Sequence, residues 1–107
     1  MQRTIPTSLI PSSFEQISLT AGTDVFTLNS TMIAANPRYL YFSISGGDVR
    51  MRHDGTNPTD TTGVIMYDDT DYSWEAFSNP SDLKFALNDT TTAATIDMQA
   101  YVYPDGD

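Results

Sequence analysis

Residues 38–53 read RYLYFSISGGDVRMRH. Leu40, Phe42 and Ile44 alternate with Tyr39, Tyr41 and Ser43. A period of two sends successive side chains to opposite faces of an extended chain, so the stretch reads as a half-buried strand and not as a helix. After Gly46-Gly47 the alternation resumes, with Val49, Met51 and His53 in one phase and Arg50 and Arg52 in the other. Glycine takes positive φ without steric penalty, so the pair suits a tight hairpin between strands at 38–45 and 48–53.

The same period recurs on both sides. In ATIDMQAYVY (94–103), Ile96, Met98, Ala100 and Val102 face one way and Thr95, Asp97, Gln99, Tyr101 and Tyr103 the other. Further strands are expected at 14–20, 24–29, 63–67, 72–77 and 83–88, separated by turn residues such as Ala21-Gly22-Thr23-Asp24 and Asn79-Pro80-Ser81-Asp82. No segment carries helical periodicity with caps over the usual helix length. The pattern predicts an all-β fold: a single-domain antiparallel β-sandwich, jelly-roll-like, of about eight short strands. Its bounds are set at 14–103, after an extended N-terminal arm (1–13) and before a short tail (104–107).

Composition narrows the chemistry. At 107 residues there is material for one core. There is no cysteine, so disulfides, a thiol nucleophile and thiolate metal sites are excluded. One histidine with carboxylates is a poor zinc set. No apolar run reaches the roughly 20 residues of a membrane-spanning helix, and the first residues lack the apolar stretch of a signal peptide. The sequons at Asn29 and Asn88 are then read as idle polar positions. Net charge is −9. Residues 1–53 hold four basic residues and three acids, whereas 54–107 hold Lys84 and eleven acids. Such a surface repels nucleic acid, and neither nucleic acid nor membrane is expected as a partner. Solvation explains the acids most simply, and a basic partner surface is the functional alternative.

Candidate chemistry is sparse. His53-Asp54 are neighbours, but adjacent strand residues diverge, and no G-x-S-x-G elbow supplies a nucleophile. His53 is therefore expected at the end of the Val49–Met51 stripe, where core meets loop. Asp68, Asp69 and Asp71 crowd one turn, yet the calcium-loop spacing is absent, so a solvated turn is the simpler reading. Glu75 beside Trp74 has no second carboxylate at a defined spacing for glycoside hydrolysis. Neither catalytic residues nor a cofactor or metal is expected.

What remains points to interaction. Tyr39 and Tyr41, like Tyr101 and Tyr103, lie on the polar side of their strands, where tyrosines serve either an interface or cross-strand pairing. Arg50 and Arg52 point away from the core and are expected to pair with carboxylates of a neighbouring subunit. Pro6 and Pro11 keep the first thirteen residues extended. The segment is either a frayed terminus or an arm laid on a neighbour, with Arg3, Ile5, Leu9 and Ile10 as contacts.

The run from Val49 to Asp71, VRMRHDGTNPTDTTGVIMY followed by acids, resembles a segment of small all-β virion structural proteins of tailed bacteriophages. Arg52, Asp54, Gly55, Thr56, Pro58, Thr59, Thr61, Thr62 and Gly63 carry the likeness, with support from Leu83-Lys84-Phe85 and the strand at 96–103. It covers roughly residues 38–103 and not the arm. The resemblance implies a capsid decoration or cement protein on the virion surface, made in the host cytoplasm. It also implies the major capsid protein and further copies of the chain, a trimer first, as partners. A head–tail or tail component, or a carbohydrate- or receptor-binding sandwich, is the alternative.

Overall fold

Eight strands form where alternation places them, and their order defines the architecture. The computed structural model describes residues 9–75 and 79–104. The strands are β1 (Ile10–Leu19), β2 (Phe26–Thr27), β3 (Tyr39–Ser45), β4 (Val49–Arg52), β5 (Val64–Met66), β6 (Thr70–Glu75), β7 (Lys84–Leu87) and β8 (Ala94–Val102). A front sheet has the order β1-β8-β3-β6 and a back sheet the order β2-β7-β4-β5. Every pairing is antiparallel. Strands one and eight, two and seven, three and six, and four and five are partners, which is one long hairpin ribbon rolled up. This is the jelly roll.

Rolling explains where the hairpin expected at Gly46-Gly47 fails. β3 and β4 lie in different sheets, so the glycines turn a corner between layers. Gly46 has φ +94, and a Cβ there would meet the Ala93 carbonyl oxygen at 3.0 Å. Lack of a side chain lets the β3–β4 corner pass against the β7–β8 corner. Four such corners, at 20–25, 88–93, 46–48 and 67–69, lie side by side at one end. The Gly22 N–H donates to Thr90 O (2.8 Å), Asn88 N–H to Asp48 O (3.1 Å) and Asp69 N–H to Ile44 O (2.9 Å).

Two further boundaries differ from expectation. The strand expected at 24–29 is only two residues long and gives way to a helical turn, α1 (Ser30–Ala34). Asn29 starts it, its Oδ1 accepting from Met32 N–H at 2.8 Å, as a capping asparagine does. Five residues are too few for periodicity to reveal. The arm was expected to extend to residue 13, but β1 begins at Ile10, which pairs with Val102. The register shifts between Pro11 and Phe14, and Gln99 Nε2 secures that bulge by donating to Ser13 O at 3.2 Å.

Inward side chains of both sheets form one core. It includes Ile17, Leu19, Leu40, Phe42 and Ile44 with Met98 from the front, and Val49, Met51, Phe85 and Leu87 from the back. Phe42 and Phe85 meet edge to face across the layers, with centroids 6.1 Å apart and planes at 73°.

Candidate functional site

The two outer faces are dressed differently. On the back sheet, residues 53–63 fold over the strands that launch them. Pro58 is fully buried, and with Thr59 and Asp60 it faces Ala86, Leu87, Thr23 and Thr90 across a cleft of about 250 Å³. Ala86 alternates outward between Phe85 and Leu87, yet it is buried under this strap. Lys84 Nζ reaches Asn57 Oδ1 at 3.2 Å, and the Gly55 N–H reaches Asp82 O at 3.4 Å. The strap also braces itself: Thr59 Oγ1 accepts from the N–H groups of Thr61 (3.2 Å) and Thr62 (3.1 Å). Gly63 closes it at φ +125, where a Cβ would press on Met51 O, Arg50 and Pro58.

The arginines expected to reach a neighbour are committed within the chain. Arg50 is half-buried and donates to Asn88 Oδ1 (2.8 Å) and Gly63 O (3.0 Å), tying the strap to β4. Arg52 pairs with Asp54 at 2.5 Å on the surface. That hydrogen bond, helped by Thr56 N–H, lowers the Asp54 carboxyl from 3.8 to about 2. Asp89 is likewise held below its ordinary value, first by the Thr91 hydroxyl and then by the Thr91 N–H.

The front sheet carries a second set of aromatics outward. Register sets Pro11, Tyr101 and Tyr39 in one row, and Phe14, Gln99 and Tyr41 in the next. Tyr39 corrects its expected exposure: it points outward but is only 4% exposed, its ring edge-on to Tyr101 at 5.8 Å. Tyr41 is half-buried and its hydroxyl donates to Asp71. Leu9 is buried and Ile10 is exposed. Arg3 and Ile5 lie outside the described residues. Among the described residues the most exposed aromatic is one not singled out from sequence, Phe14, at 61%. Its phase with Gln16 and Ser18, against Ile17 and Leu19, was the signal that could have found it.

A groove of about 410 Å³ opens at the β4–β5 hairpin base, lined by Met51, His53, Asp54 and Val64 among others. His53 stands in the inward phase of β4, as expected, but at the rim and exposed. Its ring packs on Trp74 of β6 with centroids 4.6 Å apart. Val64 is opposite Met51 and therefore faces inward, yet it is 55% exposed.

Charge is segregated. The four neighbouring corners carry Asp24, Asp89, Asp48, Asp68 and Asp69, and no lysine or arginine. Asp68 N–H donates to Asp48 Oδ1 at 2.8 Å, so part of this acidity organises the corners themselves. Among the described residues no three His, Cys, Asp or Glu side chains gather as metal ligands, and no helix is long and apolar enough to cross a membrane. No protein-family model, curated protein or solved structure matches the chain.

Proposed function

We propose that the chain is a structural subunit of a tailed-phage virion, a decoration or cement protein that binds the outer capsid as a symmetric oligomer. The observation that carries the reading is the front face. It is a sheet surface with Phe14 exposed beside Tyr41, Tyr101 and Pro11, an aromatic patch of the kind buried when proteins associate, with Asp71, Glu75 and Asp97 on the same face. The jelly roll recurs in viral capsid domains, a likeness of fold only. The likeness of residues 52–63 to phage virion proteins supports the same reading, and in the fold those residues form the strap that covers part of the back face. A cement module needs no strong single contact, because symmetric copies act together.

The test is binding to purified capsids that lack the protein. The wild-type chain is expected to saturate them, and Phe14→Ser to bind at least tenfold more weakly with an unchanged melting temperature. Equal binding by both proteins removes the front face from the reading. Retention only on tails moves the chain to the tail, and no binding to any particle overturns the reading.

A further inference from the structure

The rolled sandwich has two long sides where edge strands meet, and they are finished differently. Between β1 and β2 the gap is plugged. Met32 of α1 is fully buried, Ile33 packs on the core, and Glu15 of β1 accepts the Asn29 N–H at 3.0 and 3.2 Å. Between β5 and β6 the middle of the seam is closed by Met66, which is buried, and by Tyr72 packed on Phe42, but towards Val64 and Trp74 the described residues supply no such plug. Val64 and Trp74 both point into the interlayer space by register, opposite Met51 and Leu40, yet Val64 is more than half exposed and Trp74 is only partly covered. His53 bridges the two layers there. An inward valine left this open is an unfilled position in a core.

We propose that this flank receives residues 1–8 of a second copy of the chain, with Ile5 seated against Val64 and His53. The proposal rests on the oligomeric part of the reading above and names the contact. Residues 1–8, MQRTIPTS, enter β1 through Leu9, at the end of the sandwich that also holds the groove. Eight extended residues reach roughly 28 Å, far enough to leave their own sheet. Their own flank lies across three strand spacings, about 14 Å away. A segment crossing that distance spends about half of its reach perpendicular to the edges, whereas the whole of a neighbour's segment can lie along them. Charge agrees: the segment carries Arg3 and no acid, on a chain of net −9. Ile5 is its apolar anchor, and Pro6, which has no N–H to donate, is tolerated in a segment added at an edge.

Trp74 is the only tryptophan, so its fluorescence reports the flank directly. The experiment compares the full chain with a chain lacking residues 1–8, with Ile5→Glu and with Val64→Glu, by light-scattering mass and Trp74 emission. Expected results are an oligomer for the full chain and monomers for all three variants, with the Trp74 emission of the variants shifted to the red. A peptide of residues 1–9 added to the truncated chain should restore the blue emission saturably. Ile5→Glu keeps the test valid if Val64→Glu fails to fold, which circular dichroism reads. An oligomer that survives both truncation and Ile5→Glu overturns the inference, even where capsid binding upholds the functional reading. A monomeric full chain whose Trp74 emission still depends on residues 1–8 overturns it too, by showing that the segment docks on its own chain. Capsid binding, scored separately on the same proteins, tells failure of this contact from failure of the functional reading.

Discussion

The two flanks of the sandwich pose one problem and solve it in different ways. Each is a seam where edge strands of two sheets leave the core facing water. On the β1–β2 side, the connection from β2 to β3 pauses for one helical turn and lowers Met32 into the seam. On the β5–β6 side, the corner between the strands is three residues, Tyr67 to Asp69, and the longer connection at 53–63 is laid across the back sheet instead. That corner has its own devices: Asp69 adopts φ +56, and the Tyr72 hydroxyl accepts the Tyr67 N–H at 2.8 Å. The difference shows that where a long connection is laid, into the seam or across a sheet, decides which side of this jelly roll is sealed.

The comparison can be broken most directly by removing the plug. Met32→Ala should cost about 3 kcal/mol, the usual range for deleting a fully buried methionine, read as a lower urea midpoint. A loss under about 1 kcal/mol would mean that α1 is not sealing the flank. Asn29→Ala should cost about 1 kcal/mol through the lost cap, with amide exchange quickening first at Met32. Val64→Ala in the chain lacking residues 1–8 should change stability by less than about 0.5 kcal/mol, because over half of the side chain is already in water. Equal losses at Met32 and Val64 would erase the distinction between the flanks.

The smallest effect concerns the strap beside the open flank. The folded Asp54 carboxyl is lowered from 3.8 to about 2, so its contribution is complete above pH 4 and fades as pH falls through that interval. The pair lies at the surface and its contribution is correspondingly slight. Asp54→Asn should flatten the acid side of the melting profile between about pH 4 and pH 2 and leave neutral pH almost untouched. An unaltered profile would show that Arg52 does not hold the strap.

Much of this was legible because alternation is a local signal. Leu40, Phe42 and Ile44, and later Ile96 and Met98, declare their strands and faces without help. Sheet membership is not local. Gly46-Gly47 has the same chemistry in a hairpin and in a corner between layers, and only the pairing of β3 with β6 and β8 decides which it is. Exposure was misjudged where a neighbour across the sheet intervenes: Tyr39 is covered beside Tyr101, and Arg50 is occupied by the strap. Sequence phase gave the direction of both side chains correctly and was silent about what would meet them. Phe14 is the opposite case, a phase that was readable and a face that stayed bare.

The register Ile10↔Val102 has a consequence in time as well as space. Among the described residues β1 pairs with one strand, and that partner is the last strand of the ribbon. During synthesis the first strand, with Ile17 and Leu19 in it, leaves the ribosome some eighty residues before β8 can pair with it. Closing so long a loop is slow. The nascent chain therefore carries a sticky, unpartnered ribbon for most of its translation. Glu15, whose charge faces inward on that strand, is placed to discourage wrong partners until the right one arrives.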